Sequence, residues 1–318
     1  MSAEPALMDA ISDPRLDTCP SCGGPIETVM TKARDPHYGM PGEWNWDACQ
    51  SCSLWFVNPA PREDFLYGEG YDDSYYSLQP FEEKRSVAKE LAAVLLLYDP
   101  KRTRDPAFPA PGRMLDIGAG TGEFIYKMRK KGWQVHGLEP GGGAARIGRE
   151  RYGLDIAASW EEAEAYDDLS FDYIRLNHTF EHILRPDEAL AFIHRKLKPD
   201  GKLFIGVPNV DSFACRRFGA DWWLLGTPIH PYGWSAKSLD TVLGRNGFKI
   251  EKWWTNSNYS GLLGSYQIRR NVAAGKYEDH GPIFTNPVLK ILANFVAKAT
   301  DLVRQGDGIE VIARKAAR

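Results

Sequence analysis

No run of 18 apolar residues occurs in this chain, and its first residues lack the pattern of a secretory leader. An excess of charge of one sign is also missing, since 39 Lys and Arg stand against 42 Asp and Glu, a net charge of −3. These absences argue against a membrane-spanning protein, an exported protein and a nucleic-acid-binding protein with a basic face. We therefore expect a cytoplasmic location, no nucleic-acid partner and no transmembrane segment.

Cysteine is scarce, with five in 318 residues, yet four of them form two pairs. Cys19 and Cys22 are separated by 26 residues from Cys49 and Cys52, and two such pairs complete a tetrahedral thiolate shell for zinc. Four thiolates leave no open position for a substrate, so the predicted role is structural. Two disulfides are the alternative, which a cytoplasmic chain disfavours. The second pair departs from the usual knuckle, because Ser53 follows it where glycine follows the first.

The most informative stretch is residues 113–124, which read RMLDIGAGTGEF. An apolar strand ends at Asp116, and a turn with glycine at positions 118, 120 and 122 leads into a helix. Glycine lets the backbone bend tightly and lets a ligand approach without meeting a Cβ. The stretch has neither the G-x-G-x-x-G of dinucleotide folds nor the Gly-Lys-Ser/Thr of phosphate loops.

This order of residues resembles the first motif of the class I S-adenosylmethionine-dependent methyltransferases. The resemblance implies that the turn holds S-adenosylmethionine at the carboxyl end of the first strand. Glu139 follows the second strand, about twenty positions after the turn, where a carboxylate can accept both ribose hydroxyls. The cofactor-binding residues implied are Asp116, Gly118, Ala119, Gly120, Thr121, Gly122, Glu139, Pro140, Ser159, Trp160 and Asn177, with adenine beside Ser159 and Trp160.

From residue 113 the pattern alternates strand and helix, which predicts a doubly wound parallel sheet. The expected strands are 113–117, 134–138, 154–158, 171–176, 202–207 and 248–255, and the expected helices are 122–131, 142–152, 187–198 and one from Ser235 to Asn246. Residues 308–315 look like the closing antiparallel strand of the methyltransferase family. The predicted fold class is α/β, a seven-stranded Rossmann-like sheet with a small N-terminal zinc-ribbon module.

The chain is predicted to divide into four segments. They are a flexible tail 1–15, a zinc ribbon 16–60, an aromatic connector and helix 61–112, and a methyltransferase domain 113–318 with substrate-side insertions 208–234 and 257–307. The polar aromatic residues 67–76 either face a ligand or pack between modules. The apolar helix 287–298 is read as a core or homodimer helix in preference to a membrane-surface helix over 287–303.

Residues 171–209 strengthen the resemblance, since a Glu-His pair, Leu-Lys-Pro-Asp-Gly and Val-Pro-Asn follow the fourth strand. They look like the branch with the ubiquinone-pathway O-methyltransferases and many sugar and natural-product methyltransferases. The four-cysteine module is similar to that of the sugar C-methyltransferases of deoxysugar pathways. Those carry a further C-terminal domain for which this chain has no length. The resemblance implies a small-molecule acceptor, methylated on oxygen or carbon.

The acceptor-side candidates are His178, Glu181 and His182, which follow the fourth strand at the carboxyl edge of the sheet. His182 is the first candidate for general base, because a neighbouring carboxylate can hold an imidazole in a useful tautomer. It also matches a Glu-His position implicated by the sugar C-methyltransferase resemblance. His230, in the insertion 208–234, is the reserve candidate. The alternative is that Glu181 and His182 cap the following helix and do no chemistry.

Two other functions stay open at this point. The first is a protein or RNA methyltransferase that uses the zinc ribbon for recognition. The absence of a basic face argues against it, as does the absence of an Asn/Asp-Pro-Pro-Tyr motif, because residues 177–180 read NHTF. The second is a non-catalytic cofactor-binding scaffold, which the intact glycine turn and Glu139 do not favour.

Overall fold

The computed structural model describes residues 3–66, 68, 111–140 and 142–316. Most of the predicted connector lies outside the described residues, including residues 69–76 and the helix that apolar positions at helical spacing predict over 81–98. The strands are β1 Ile26–Ala33, β2 Trp44–Cys49, β3 Trp55–Val57, β4 Arg113–Ile117, β5 Gln134–Leu138, β6 Ile156–Ala157, β7 Phe171–Asn177, β8 Leu197–Pro208, β9 Tyr232–Gly233, β10 Phe248–Asn256 and β11 Gly308–Lys315. The helices are α1 Ala3–Ile11, α2 Glu63–Phe65, α3 Glu123–Lys130, α4 Gly142–Tyr152, α5 Trp160–Ala163, α6 Pro186–Lys196, α7 Phe213–Phe218, α8 Ala236–Arg245, α9 Tyr259–Ala273, α10 Pro282–Thr285 and α11 Pro287–Leu302.

The large sheet has seven strands in the order β10-β11-β8-β7-β4-β5-β6. Strands β4 to β8 pair in parallel, and β11 lies antiparallel to both β8 and β10. The central strands are apolar and buried, as expected where helices cover both faces of a parallel sheet. The predicted seven-stranded sheet and its antiparallel closing strand are confirmed.

One strand begins earlier than predicted. The sequence predicts strand five over 202–207 after a turn at 198–201, whereas β8 begins at Leu197. The chain passes from α6 directly into the sheet, because Leu197 already pairs with Phe171. The irregular register before Lys202 accommodates the predicted turn residues within the strand.

A second, antiparallel sheet has the order β1-β2-β3-β9. Its first three strands come from the N-terminal module, and its fourth comes from the insertion 208–234. Trp55 pairs with Gly233 and Phe56 pairs with Tyr232. The module is therefore completed by a segment that follows it by more than 170 residues, and the boundary predicted at 60 does not isolate a separate unit.

The module and the large sheet also share apolar cores. Cys19, Leu54 and Phe56 belong to the same buried cluster as the central strands of the large sheet. Trp44 and Trp46 are fully buried in a second cluster that includes Trp222 from the insertion. Aromatic residues from the module and from the insertion thus cover this core together.

The predicted flexible tail is wrong for most of its length. Residues 3–11 form α1, and Ile11 is buried in the second cluster. Arg15 then pairs with the fully buried carboxylate of Asp47 at 2.6 Å, and Ser12 forms a β-bridge with Pro61. The apolar contact of Ile11 and the ion pair of Arg15 with Asp47 therefore hold this segment in place. Its sequence has no periodic pattern from which a helix could be predicted.

The insertion 257–307 forms α9, α10 and α11. Helix α11 is capped by the Asn286 side chain, which accepts from the N–H groups of Val288 and Leu289. It packs through Ala293, Asn294 and Ala297, while six apolar side chains stand on its exposed surface, namely Val288, Leu292, Phe295, Val296, Leu302 and, just beyond, Val303. It is therefore not a core helix, and its predicted pairing with a second copy stays a prediction. Among the described helices none has both the length and the hydropathy to cross a bilayer.

Candidate functional site

The glycine turn joins β4 to α3 at the carboxyl edge of the large sheet. Gly118, Gly120 and Gly122 have φ values of 78°, 55° and 85°, in the left-handed region that favours glycine. A Cβ on Gly118 would lie 2.1 Å from the Thr179 hydroxyl, so the turn packs directly on the loop after β7. Among the described residues, none lies within 4 Å of the position of a Cβ on Gly120, so the backbone of this residue is accessible from that side.

Glu139 braces that turn from the end of β5. Its carboxylate is 5% exposed, and its Oε2 accepts a hydrogen bond from the Gly120 N–H at 2.7 Å. The backbone N–H groups of Gly118 and Ala119 donate to the Leu138 carbonyl at 2.8 and 3.2 Å. The predicted acidic residue therefore lies against the accessible side of the turn. A carboxylate that can accept hydrogen bonds from ribose hydroxyls, next to a glycine backbone that a ligand can approach closely, fits an adenosyl group.

Asp116 has a partner that the sequence analysis missed. Its carboxylate is 2% exposed, and Arg175 on β7 donates to its Oδ1 at 2.8 Å. The guanidinium also lies 3.9 Å from the centre of the Phe124 ring. The signal available in the sequence was an arginine between the buried apolar residues Ile174 and Leu176. The pair fixes the end of β4 under the turn.

The remaining predicted cofactor residues surround the same edge. Ala119 is buried, Thr121 and Asn177 are half-buried, and Pro140 is exposed. Ser159 accepts from the Glu162 N–H as the cap of α5. Trp160 is half-buried and packs edge-to-face on Phe192, with ring centres 5.3 Å apart. Ser159 thus has a structural task of its own.

A cluster of one carboxylate and two histidines lies beside the turn. Glu181 and His182 sit in a 3₁₀ turn, Phe180–His182, directly after the Thr179 that contacts Gly118. His230 reaches the same place from the insertion, and its ring centre lies 4.5 Å from that of His182. One ligand atom from each of Glu181, His182 and His230 lies within 4.8 Å of the others. The predicted acceptor-side residues are brought together across 48 positions of sequence.

The pKa values of His182 and His230 are lowered, whereas that of His178 is raised. Burial lowers the pKa of His182 to about 4 and that of His230 to about 3, so both are neutral at pH 7. His178 is 55% exposed, and its Nδ1 lies 3.4 Å from Oε1 of Glu181. Desolvation lowers the pKa of His178, but the Glu181 carboxylate outweighs that effect and the net pKa is raised.

The four paired cysteines also converge, at the end of the small sheet. The Sγ atoms of Cys19 and Cys52 are 3.8 Å apart, and those of Cys22 and Cys49 are 3.4 Å apart. These separations exceed the ~2.05 Å of a disulfide, and all four thiols are unbridged. All four sulfur atoms lie within 4.8 Å of one another, as one tetrahedral ion requires. Cys215 lies elsewhere and is a buried thiol.

The two cysteine turns have the same geometry despite their different sequences. The N–H groups of Gly23 and Ser53 donate to the carbonyls of Cys19 and Cys49, each at 2.9 Å. Gly23 has a φ of 70° and Ser53 a φ of 61°. In each turn a backbone N–H also lies 3.4 Å from the sulfur of the first cysteine. Ser53 therefore adopts the left-handed conformation that glycine supplies in the first turn.

Comparison with known proteins places the chain in a family. A family model described as a methyltransferase domain matches residues 84–252, which is more than half of the chain. An uncharacterized methyltransferase of Staphylococcus carnosus is 34% identical over 105 residues, covering 31% of this chain and 48% of the relative. A ubiquinone biosynthesis O-methyltransferase of Ruegeria pomeroyi is 32% identical over 130 residues, covering 39% and 52%.

Among solved structures, a SAM-dependent methyltransferase from Archaeoglobus fulgidus is 18% identical, covers 80% of this chain and 100% of its own, and has a TM-score of 0.45. The chain spans about half the length of the curated relatives it matches. The family match includes the glycine turn, Glu139 and the Glu181-His182 pair. The chain therefore belongs to the methyltransferase-domain family and has the class I fold of S-adenosylmethionine-dependent methyltransferases.

Proposed function

We propose that this protein transfers a methyl group from S-adenosylmethionine to an oxygen or carbon atom of a small molecule. The observation that best supports the proposal is that the glycine turn contacts the loop with Glu181 and His182 at one edge of the sheet. The open face of Gly120 with Glu139 suits the cofactor, and Thr179 joins that turn to the loop bearing Glu181 and His182. A methyl donor on the turn would thus stand next to the polar cluster of the acceptor side.

The cofactor would be held by backbone and by one carboxylate. Gly120 and its neighbours in the turn allow close approach, Glu139 accepts ribose hydroxyls, and Trp160 lies on the adenine side. When bound, S-adenosylmethionine supplies an activated methyl group on a sulfonium. The task of the protein is then to align the acceptor and to exclude water.

Small acceptors are favoured by charge and by the names of the relatives. The net charge of −3 gives no basic face for RNA. Relatives at 30–32% identity are named for ubiquinone and menaquinone biosynthesis. We therefore propose a sugar, nucleotide-sugar, quinone or natural-product intermediate as acceptor, in a protein that works in the cytoplasm.

The role of general base stays a proposal for His182, with His230 in reserve. A ring with a pKa of about 4 is a weak proton acceptor at neutral pH, which makes direct proton removal by His182 slow. Both rings nevertheless line the space beside the turn, and either one can orient a hydroxyl. If one of them does act as the base, its replacement by alanine should lower turnover by ~10²–10⁴-fold while cofactor affinity is kept, and a loss of less than tenfold in both variants would refute the assignment.

The experiment is an acceptor screen with isotopically labelled S-adenosylmethionine, read by mass spectrometry of small-molecule pools. Labelled product in a sugar, quinone or natural-product fraction supports the proposal. Label that appears only in protein or RNA supports the alternative acceptor class. Cofactor binding without any transfer across the screen would favour a non-catalytic scaffold.

We also propose that Cys19, Cys22, Cys49 and Cys52 hold one structural zinc ion. The support is the convergence of four unbridged sulfur atoms at the ends of two similar turns. Purified protein should contain about one zinc per chain, and Cys49→Ser should lose it and unfold β1–β3 because metal affinity there contributes folding energy. Cys215→Ala, which removes a cysteine outside the cluster, should keep the zinc. Well under one zinc per chain, with intact disulfides instead, would refute the proposal.

A further inference from the structure

We propose that Glu181, His182 and His230 form a second metal site, one that binds a divalent transition-metal ion on the acceptor side of the cleft. It differs from the cysteine cluster in donor type, with one carboxylate and two imidazoles in place of four thiolates. It lies next to the glycine turn, because Thr179, two residues before Glu181, contacts Gly118.

Glu181 is the first reason to place a cation here. Its side chain is 1% exposed, and among the described residues neither carboxylate oxygen has a hydrogen-bond partner. His178 lies close enough for an ion pair, with its Nδ1 3.4 Å from Oε1 of Glu181, but it donates no hydrogen bond there. A buried carboxylate without hydrogen bonds is costly, and metal coordination is one of the few ways in which proteins compensate for it.

The two histidines have the tautomer that a metal site needs. Nδ1 of His182 lies 3.2 Å from the carbonyl oxygen of Ile229, and Nδ1 of His230 lies 3.2 Å from that of Leu224. A carbonyl can only accept, so both Nδ1 atoms carry the proton and both Nε2 atoms carry the lone pair. Metal-binding histidines characteristically donate their other ring N–H in this way, which fixes the ring and raises its basicity.

The backbone is also shaped around His230. Gly226 has a φ of 63°, and a Cβ there would lie 2.3 Å from Nδ1 of His230. The ring therefore occupies space that glycine leaves open, and Gly226 accepts from the backbone N–H of His230 at 2.8 Å. This loop holds the imidazole in one position opposite His182.

The donor set indicates the class of ion. Two imidazoles and one carboxylate suit Zn²⁺, Fe²⁺ or Co²⁺, whereas Mg²⁺ and Ca²⁺ prefer oxygen ligands. Three protein ligands leave positions open for another molecule. The three donor atoms lie within 4.8 Å of one another, and the Glu181 carboxylate, which no hydrogen bond holds, can move toward the two rings when an ion binds.

The role of the ion rests on the proposed function, although its binding does not. An acceptor hydroxyl that contacts such an ion loses its proton to solvent more readily. The oxygen then forms a bond to the methyl carbon, the carbon–sulfur bond breaks, and the sulfur keeps the electron pair. This assignment makes His182 and His230 ligands of the ion, together with Glu181.

The test uses the zinc-loaded full-length protein, titrated with Co²⁺ and followed by visible absorption and calorimetry. The wild type should bind one equivalent of Co²⁺ with the spectrum of nitrogen and oxygen ligands. Glu181→Gln and His230→Ala should each weaken binding by ~100-fold or more, since even changes outside the ligand shell cost 10–100-fold. His280→Ala, which removes an exposed histidine elsewhere, should bind like the wild type.

A measurement on the wild type covers the case in which a variant fails to fold. Anomalous diffraction from Co²⁺-soaked crystals should place a peak within ~2.0–2.3 Å of donor atoms of Glu181, His182 and His230. No peak there and no equivalent bound would overturn the inference, as would Glu181→Gln binding as tightly as the wild type. Cofactor affinity, measured on the same samples, tests the proposed function separately: cofactor binding without Co²⁺ binding refutes the metal site alone.

Discussion

Replacing Glu139 tests the cofactor site where the structure is most specific. Its Oε2 accepts from the Gly120 N–H at 2.7 Å, and the side chain is 5% exposed. Glu139→Ala removes the brace of the turn together with the proposed acceptor for the ribose. Glu139→Gln keeps a neutral acceptor for the Gly120 N–H and removes only the charge. The two variants therefore separate the shape of the turn from the charge beside it.

The expected loss follows from the energy of a charged hydrogen bond. Such a bond contributes ~1.5–3 kcal/mol, so Glu139→Ala should weaken S-adenosylmethionine binding by roughly 10–150-fold. Glu139→Gln should lose about half of that free energy, because neutral hydrogen bonds are roughly half as strong. Isothermal titration calorimetry at fixed salt measures both, and thermal melts confirm that each variant is folded.

Glu161→Ala is the matched control, since this exposed carboxylate lies in the first turn of α5, next to Trp160, and outside the glycine turn. It should bind the cofactor like the wild type. If Glu139→Ala also binds like the wild type, the carboxylate does not contact the ribose and the site is misassigned. Equal losses in Glu139→Ala and Glu161→Ala would indicate a general charge effect.

Two further predictions concern stability. Arg175→Met should lower the free energy of unfolding by ~3–5 kcal/mol in urea titrations, because it leaves the buried Asp116 carboxylate without its ion-pair partner; an unchanged midpoint would contradict this. Burial raises the pKa of Asp307 to about 7, above its unfolded value, so the native state holds the proton more tightly and stability should fall as pH rises from about 4 to 7. Asp307→Asn should remove that fall, by up to roughly 4 kcal/mol, and an unchanged pH profile would contradict it.

The architecture of the large sheet could be predicted because its signals are local. Each strand from β4 to β7 contains a short buried apolar run, and helices alternate with these strands along the chain. Right-handed connections then reduce the possible orders of strands to a few. The early start of β8 at Leu197 was missed because Lys198-Pro199-Asp200-Gly201 has the composition of a turn, and pairing with Phe171 overrides that composition.

Contacts between distant segments could not be predicted. Strand β9 consists of two residues, Tyr232 and Gly233, and pairs with Trp55 and Phe56 through contacts that no local pattern encodes. The position of helix α1 could not be predicted for the same reason, because Ile11 packs in a core that other segments of the chain form.

The site residues show the same difference between local patterns, which could be predicted, and contacts between distant segments, which could not. The spacing of the cysteines and the glycines was sufficient, since neighbours in sequence supply the geometry of each turn. The burial of Glu181 and the contact between His182 and His230 depend on where the insertion 208–234 folds back. The partner of Asp116 depends on the register of β4 against β7, which places Arg175 directly beside it.

The pairing of β9 with β3 has a consequence for how acceptor preference can change in this family. His230 stands two residues before β9, so the loop that we propose to face the acceptor is attached at its far end to the edge of the cysteine module. Trp46 of the module also donates to Thr227 in that loop at 2.8 Å. If this loop were replaced by that of a relative, and the relative's N-terminal module were not transferred with it, the β9–β3 pairing and the hydrogen bond from Trp46 would both be lost. If this loop sets the acceptor, as we propose, an exchange of acceptor specificity by recombination would need both segments together, although they lie far apart in the sequence.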